Sequence, residues 1–326
     1  MKIIVATRDL DYGAGSVVKY ELYNFDKDKN IKKVIVIGPK KLDGYSNKIS
    51  FEVIKNIGKY FVTKEPNFAF LCKNKIKEIL KKEKIDEIHL HSPIYAEKFG
   101  PKLIMKFHTL HLMILEKHPF NIKLSISAIF HKAYSYFDFV TMKYSDKILF
   151  VSKKTLNEAK KLYPQFKTKF SYSPNKVNRL KFYKVNVRDR KRLKIILNFD
   201  KNKRNILYVG RLEPMKGILD LIDVIKGINN KKLKLVVVGD GPLKNKIQKY
   251  KFVDYRGKIS NDDLYKYYNA TDLFILPSHY ENSPMTVLEA KACGCKILAR
   301  DVGDNRFNLD KRSIFKTNKE LMNKIK

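Results

Sequence analysis

Two glutamates in the last fifth of the chain could hold a ligand between them. Glu281 and Glu289 stand eight residues apart, and small and polar residues followed by an apolar run separate them. Ser283 is predicted to be the N-cap of a helix and Pro284 its first residue. The free N–H groups of a helix start suit a phosphate, and a carboxylate further along can accept hydrogen bonds from hydroxyl groups. The alternative is that both glutamates are ordinary solvated side chains.

Arg211 and Lys216 are two cations in another loop that leads from a strand to a helix. The strand is predicted over 205–209 and the helix over about 218–228. Arg can bind phosphate through two parallel hydrogen bonds, whereas Lys acts as a point charge. With the helix start near Pro284, these cations predict a site for one diphosphate. In so basic a chain, two cations can also coincide by chance.

Glycines and histidines follow predicted strands in the first half of the chain. Gly13 and Gly15 come after the apolar run 2–6, and glycines let backbone amides approach a ligand closely. A plain tight turn is the alternative. Histidines at the ends of two further predicted strands could share a cleft, although a lone histidine is usually structural. They are His89, His91, His108 and His111. No carboxylate stands at ligand spacing, so no zinc site is predicted.

Strands and helices alternate along the chain, which predicts an α/β protein with parallel sheets covered on both faces. The apolar runs that predict strands are 2–6, 34–37, 87–90, 103–107, 147–151, 205–209, 233–238, 252–255, 273–276 and 296–299. Ser173-Pro174-Asn175 breaks the pattern, and a basic connector follows. We therefore predict two domains, 1–174 and 175–326.

Length and charge limit the class of protein. The 326 residues favour two domains of roughly 150 residues each. The formal net charge of +35 must attract polyanions or anionic lipid headgroups. No apolar run approaches the ~18 residues of a membrane span, and no signal peptide is predicted. We expect a cytoplasmic protein, at the inner face of the cell membrane if the charge contacts lipid. The three cysteines predict neither a disulfide framework nor a metal site.

Residues 110–139 combine apolar, aromatic and basic side chains. One interpretation is a helix that lies in a membrane interface or holds a lipid-like acceptor. The other is a core helix with one solvated face.

Several short motifs resemble those of one enzyme family, the family 4 retaining glycosyltransferases of GT-B fold. The motifs of the second half are Gly210-Arg211-Leu212 with Lys216-Gly217, Val238-Gly239-Asp240-Gly241-Pro242, and Glu281 with Glu289-Ala290 and Gly294. Their order and spacing over about 100 residues make the match specific. The first half is similar to the family more weakly, through the glycine loop, His91, His111 and Val151-Ser152.

The resemblance implies two Rossmann-like domains whose parallel sheets face a central cleft. It implies an acceptor bound by the first domain and a nucleotide sugar bound mainly by the second. Arg211 and Lys216 would neutralise the diphosphate, and Glu289 would hold the ribose hydroxyls. Glu281 would contact the donor sugar, and His111 would lie over that sugar from the first domain.

The resemblance also implies which residues form the site. Those implied to bind the donor are Gly13, Gly15, Arg211, Lys216, Arg256, Glu281, Asn282, Ser283, Pro284, Met285 and Glu289. Arg256 would border the base, and the two glycines would close on the phosphates. A catalytic role is implied for His111, Glu281, Arg211 and Lys216. Family members also return a final helix to the first domain, for which only 318–326 remains here.

The predicted function is therefore retaining transfer of a hexosyl group from a nucleotide-diphosphate sugar to a glycan or lipid-linked acceptor. No metal ion and no further cofactor are expected, because fixed cations would stabilise the leaving diphosphate. Two alternatives stay open: a nucleotide-sugar epimerase of similar fold, and a non-catalytic polyanion-binding protein. Nucleic acid is not an expected partner, because binding by charge alone needs no ordered motifs.

Overall fold

The computed structural model describes residues 1–10, 14–55, 61–110 and 126–326, and their side chains except those of 14, 61–65 and 126–132. The chain divides into two compact units, Met1–Asn175 and Lys176–Lys326. The division falls one residue after the boundary that the sequence predicts.

The first unit contains a parallel sheet flanked by helices. Its strands, among the described residues, are β1 (Lys2–Ala6), β2 (Lys33–Gly38), β3 (Ile49–Val53), β4 (Glu87–Leu90), β5 (Lys102–Phe107), β6 (Lys147–Phe150) and β7 (Phe170–Tyr172). Its helices there are α1 (Ala14–Lys27), α2 (Phe61–Lys82), α3 (Ile126–Tyr144) and α4 (Lys153–Leu162). The strand order is β3-β2-β1-β4-β5-β6-β7.

Alternating side chains of β1 show why helices cover both faces of this sheet. Ile3 and Val5 pack in one apolar cluster with residues of α1, including Val18. Ile4 and Ala6 pack in a second cluster on the other face. Burying an aliphatic side chain of this size contributes about 1.5–3 kcal/mol relative to exposure. An unbroken apolar run is therefore stable only as a strand that is buried on both sides.

The second unit repeats this plan. Its strands are β8 (Arg204–Val209), β9 (Leu233–Val238), β10 (Val253–Gly257), β11 (Leu273–Leu276), β12 (Ile297–Arg300) and β13 (Ile314–Phe315). Its helices are α5 (Val187–Ile196), α6 (Ile218–Ile228), α7 (Lys244–Ile247), α8 (Leu264–Ala270), α9 (Met285–Ala292), α10 (Asn305–Asn308) and α11 (Asn318–Ile325). The parallel strands follow the order β10-β9-β8-β11-β12-β13.

Both sheets reverse their strand order beside their first strand. The reversal lies between β1 and β4 in the first unit and between β8 and β11 in the second. This is the Rossmann arrangement, in which a ligand binds beyond the carboxyl ends of the strands at the reversal, the topological switch point. The predicted α/β class with two Rossmann-like domains is confirmed.

One expectation needs restriction, and one segment has a defined place. The final helix α11 packs against α6 of its own unit, with Leu321 and Ile325 buried. In the segment 110–139, residues 111–125 lie outside the described residues. Tyr134 and Phe137 of α3 are buried in the first core, so the core interpretation holds for them. None of the described helices combines the length and apolarity needed to cross a membrane.

Candidate active site

Lys216 and Glu281 form an ion pair at the switch point of the second sheet. Lys216 ends a short 3-10 helix, Pro214–Lys216, that follows β8, and Glu281 lies in the loop between β11 and α9. Lys216 Nζ is 2.6 Å from Glu281 Oε1, and both side chains are largely buried. Because β8 and β11 are hydrogen-bonded neighbours, the loops after them meet. The structure thus brings together two of the predicted site residues.

A backbone clasp between the two loops positions this pair. The His279 amide donates a hydrogen bond to the Met215 carbonyl oxygen at 3.0 Å. Gly217 has a φ of 66°, and a Cβ at this position would stand 2.2 Å from the Pro277 carbonyl oxygen. Only glycine fits so close an approach in this left-handed conformation. The clasp therefore depends on Gly217, which directly follows Lys216.

Further hydrogen bonds support the Glu281 loop. The Asp304 amide donates to the Asn282 carbonyl oxygen at 2.7 Å. Arg300 Nε donates to the Pro277 carbonyl oxygen at 3.0 Å, and its Nη2 donates to Asp220 Oδ2 at 2.9 Å. The loop is thus held from β12 and the segment after it as well as from the β8 side. Such support keeps the Glu281 carboxylate in one place.

Arg211 lies beside this pair in sequence but in a more open environment. Its side chain is 57% exposed, and Nη1 is 2.8 Å from Glu213 Oε1. An exposed pair of this kind contributes at most about 1 kcal/mol, so a phosphate can replace Glu213 at little cost. The Tyr208 hydroxyl donates to the Arg211 carbonyl oxygen at 2.7 Å. Burial and the nearby carboxylate of Glu281 raise the pKa of Tyr208, so its proton stays on this bond.

Glu289 occupies the first turns of α9, as predicted, but in a buried environment. It is 3% exposed and accepts a hydrogen bond from the Tyr268 hydroxyl at 3.0 Å. Burial raises the pKa of Glu289 to about 7, against the opposing effects of Tyr268, Lys181 and Asn261. The carboxyl group is therefore partly protonated near neutral pH. Tyr268 belongs to α8 and Asn261 to the segment before it, whereas Lys181 precedes α5.

The start of α9 differs by one residue from the prediction. The helix begins at Met285, and Pro284 takes the N-cap position with a φ of −69° and a ψ of 119°. Proline's fixed φ suits this position as well as the first helical one. Ser283 and Asn282 precede the helix in the loop that carries Glu281.

Arg256 lies apart from the ion pair, on the edge strand β10. Two strands, β9 and β8, separate it from the loop of Glu281 in the sheet order. Its Nη2 donates to Asp254 Oδ2 at 2.7 Å and to the Asn198 carbonyl oxygen at 3.2 Å. These residues border an open depression together with Asp200, Lys234 and Tyr255. The structure therefore does not place Arg256 in contact with the other described site residues.

Of the predicted site residues in the first unit, Gly13 and His111 lie outside the described residues. Gly15 is the second residue of α1, and a Cβ there would stand 2.5 Å from the carbonyl carbon of Leu10. The glycine thus allows close packing of the loop that precedes α1.

His91 belongs to a charged cluster in which the sequence predicted the neighbouring histidines but not Glu21 or Lys106. Its Nε2 is 2.8 Å from Glu21 Oε2, and its Nδ1 is 3.2 Å from His108 Nε2. Glu21 also pairs with Lys106 of β5. Burial acts to raise the pKa of Glu21, but His91 and Lys106 outweigh it and the pKa is lowered. Burial, followed by the charges of His91 and Lys106, lowers the pKa of His108 well below its usual range.

Among the side chains that the structure describes, no three His, Cys, Asp or Glu side chains come together as a metal ion would require.

Two family models match most of the chain between them. The model described as Glycosyltransferase Family 4 matches residues 33–179. The model described as Glycosyl transferases group 1 matches residues 189–309. Neither description supports the two alternatives, an epimerase or a polyanion-binding protein.

Named relatives carry the same kind of description. The teichuronic acid biosynthesis glycosyltransferase TuaC, as the Bacillus subtilis protein is named, is 35% identical over 158 residues, which are 48% of this chain and 39% of that protein. The UDP-Gal:alpha-D-GlcNAc-diphosphoundecaprenol alpha-1,3-galactosyltransferase of Escherichia coli is 27% identical over 248 residues, 70% of this chain and 61% of that protein. The chain thus spans less than two thirds of the length of either relative.

A solved structure shares the fold over the whole chain. WaaG, a glycosyltransferase involved in lipopolysaccharide biosynthesis, superposes on this chain with a TM-score of 0.80 at 13% sequence identity. The superposition covers 99% of this chain and 89% of the WaaG chain. Matched by both family models and built from two Rossmann-like domains, the chain belongs to the group 1 glycosyltransferases of family 4 and has the GT-B fold.

Proposed function

We propose that the chain transfers a sugar from a nucleotide-diphosphate donor to a glycan or lipid-linked acceptor. The donor binds to the second domain and the acceptor to the first. The observation that carries this proposal is the Lys216–Glu281 ion pair, which stands at the switch point of the second sheet next to the exposed Arg211. Switch points of parallel sheets are where such folds bind nucleotides.

In this proposal, Lys216 and Arg211 stabilise the charge that develops on the departing diphosphate. Fixed positive charge in a partly buried site is usually the largest contribution to such a reaction. The clasp holds the backbone at Lys216 and Glu281 holds its ammonium group, so little reorganisation is needed when the bond breaks. The free N–H groups at the start of α9 add to this stabilisation.

The two carboxylates have separate tasks. Glu281 accepts hydrogen bonds from hydroxyl groups of the donor sugar, and the backbone N–H groups of Asn282, Ser283 and Met285 donate hydrogen bonds to oxygen atoms of the donor. Glu289 accepts hydrogen bonds from the ribose hydroxyls, which requires that the ligand displace Tyr268 or share the carboxylate with it. The loops of the first domain, with Gly13, Gly15 and His111, act on the phosphates and the sugar by analogy with the family.

The stereochemical course in this proposal is retention. The leaving phosphate assists attack by the acceptor on the face from which it departs, so no protein nucleophile is required. Fixed cations supply the positive charge, and neither a metal ion nor a further cofactor takes part. The reaction takes place in the cytoplasm, at the inner face of the cell membrane when the acceptor is lipid-linked.

A donor screen tests the proposal. The full chain is incubated with a panel of nucleotide sugars, beginning with UDP sugars because the Escherichia coli relative is named for UDP-Gal. Nucleotide release and product mass are followed. We expect one donor to be turned over by the wild type and not by the double variant Arg211→Ala/Lys216→Ala.

The matched control is Lys231→Ala/Lys232→Ala, which removes two exposed cations at the amino end of β9. This control should keep wild-type turnover. If no donor binds or reacts, or if both double variants behave alike, the proposed function is wrong.

A further inference from the structure

The helix α5 has one face that holds it to the second domain. On this inner face, Arg190 Nη2 donates a hydrogen bond to the Thr271 carbonyl oxygen at 2.6 Å. Lys194 Nζ pairs with Asp272 Oδ1 at 2.6 Å. Leu193, between them, packs against the apolar core. These contacts fix the orientation of the helix, so its opposite face points away from the domain core.

The opposite face, called here the α5 outer face, mixes aliphatic and basic side chains. Its members share helical spacing of three or four residues, and they are Val187, Arg188, Lys191, Arg192, Ile195 and Ile196. Val187 is 72% exposed, and Ile195 and Ile196 are each 62% exposed. The three cations are exposed as well. Val187 begins the helix and Ile195 and Ile196 end it, with the cations between them. Three large aliphatic side chains exposed along one helix face indicate a surface that another molecule covers.

The acidic residue of α5 offsets only one of these three positive charges. Asp189 lies at the N-cap, where its amide donates to Asn186 Oδ1 at 2.8 Å and its carboxylate accepts from Asn186 Nδ2 at 2.8 Å. The outer face therefore keeps a net positive charge that is available to an anionic partner.

Charge and apolarity together select the partner. The phosphates of a nucleic acid would satisfy the cations but leave three aliphatic side chains in contact with polar backbone. An anionic bilayer satisfies both, because aliphatic side chains enter the boundary between headgroups and acyl chains while Arg and Lys extend to the lipid phosphates. We propose that the α5 outer face docks the second domain on an anionic phospholipid bilayer.

This surface is separate from residues 110–139, the segment for which the sequence suggested membrane contact. It also does not involve the ion pair at the switch point. Docking thus complements the proposed use of a lipid-linked acceptor but does not depend on the transfer reaction.

Vesicle flotation of the full chain tests the docking proposal. Vesicles of phosphatidylcholine alone are compared with vesicles in which about a third of the lipid is phosphatidylglycerol, at about 0.15 M salt. The wild type should float with the anionic vesicles and not with the neutral ones. The triple variant Arg188→Glu/Lys191→Glu/Arg192→Glu should lose about a hundredfold or more in partitioning, since each surface cation contributes about fivefold.

A charge-matched control separates this surface from the general positive charge. Lys231→Glu/Lys232→Glu/Lys249→Glu changes the net charge equally at exposed positions elsewhere in the domain. It should change partitioning by only a few fold. Equal losses in the two charge variants would overturn the proposal.

A second variant tests the aliphatic part. Val187→Ser/Ile195→Ser/Ile196→Ser should lower partitioning about tenfold, whereas Val53→Ser/Phe70→Ser, at exposed sites of the first domain, should not. If the aliphatic variant partitions like the wild type, or if the basic variant loses duplex RNA binding as strongly as vesicle binding, α5 is a polyanion site and not a membrane surface.

Donor binding keeps the two proposals distinguishable. Flotation needs no nucleotide sugar, and the α5 variants should bind the donor found in the screen as tightly as the wild type. Retained donor binding also shows that these variants are folded.

Discussion

The two sheets both gather charged side chains near their switch points, but the charges have different surroundings. In the first domain, Glu21 lies on α1 and Lys106 on β5, so regular elements carry both partners. His91 binds the same carboxylate and is in turn adjacent to His108. In the second domain, Lys216 and Glu281 lie on loops, and Arg211 beside them is exposed.

This difference separates a structural role from a binding role. Charges inside a packed cluster satisfy one another, and removing one leaves its partner buried without compensation. Charges on clasped loops at a switch point can exchange a protein partner for a ligand, because backbone contacts hold the loops without the ion pair. We therefore expect changes in the first cluster to affect stability and changes in the second to affect the reaction.

The largest effect is expected for Lys216→Ala. Loss of a fixed cation next to the leaving group should lower kcat/KM about a thousandfold, which corresponds to about 4 kcal/mol. The free energy of unfolding should fall by less than about 2 kcal/mol, because backbone hydrogen bonds and Arg300 still hold the Glu281 loop. Steady-state kinetics and urea denaturation measure both quantities. A large loss of stability with normal kcat/KM would show that the Lys216–Glu281 pair is structural and not part of the reaction.

Lys106→Met should show the opposite behaviour. It leaves the Glu21 carboxylate with one partner fewer and should destabilise the first domain by about 3 kcal/mol without changing donor affinity. Lys102→Met is the control on the same strand, because Lys102 is exposed and its pair with Glu87 lies at the surface.

The pH dependence of this destabilisation has a defined sign. The pKa of Glu21 is lowered in the folded protein, so its ion pairs stabilise the fold above the unfolded pKa of about 4.3. The difference between wild type and Lys106→Met should shrink as the pH falls below that value. A constant difference down to about pH 3 would contradict the ion-pair explanation.

Glu289→Gln should change the free energy of unfolding by less than Lys106→Met does, and it should stabilise the protein at high pH where Lys106→Met destabilises it. The folded pKa of about 7 lies above the unfolded value, so the unfolded chain gives up this proton first as the pH rises. Wild-type stability should therefore decline from about pH 4 to about pH 7, and the variant should lack this decline. At about pH 8 the variant should be more stable by about 2 kcal/mol while binding the donor more weakly.

Denaturation at about pH 5 and about pH 8, with donor titration at both, checks this prediction. Glu158→Gln is a suitable control, since its pair with Lys161 at 3.4 Å lies at the surface. Identical pH profiles for the wild type and Glu289→Gln would show that the carboxyl group is ionised throughout.

The smallest effect is expected for Arg211→Ala. Its exposed pair with Glu213 contributes little to stability, and loss of the guanidinium should lower kcat/KM about tenfold, or about 1.4 kcal/mol. Arg306→Ala removes an equally exposed arginine that pairs with Asp301 and should leave kcat/KM unchanged. A rise in KM with unchanged kcat would show that Arg211 only binds the donor and does not stabilise the developing charge.

The sequence was most informative where a segment is buried on both sides. Continuous apolar runs predicted most of the central strands, and the cations and carboxylates after β8 and β11 could be identified from their position. The strand β3 was missed because in Ile49–Val53 only Ile49 is fully buried, as expected for an edge strand with weak patterning.

Other features depend on packing that a local pattern does not contain. The contact between Lys216 and Glu281 joins residues 65 positions apart and depends on strand order. Lys106 stands within an apolar run, so its pairing with Glu21 of α1 was not foreseen. Similarly, the burial of Glu289 follows from the Tyr268 side chain that α8 places over it. The helix spacing alone could not reveal that neighbour.

The clasp at Gly217 has a consequence for the kinetics of donor capture. Because backbone contacts already tie the two loops together in the unliganded protein, an incoming nucleotide sugar has few torsion angles to freeze there. Association at this half of the site should therefore be rapid, with a small entropic penalty. Any slow step should originate in other parts of the catalytic cycle.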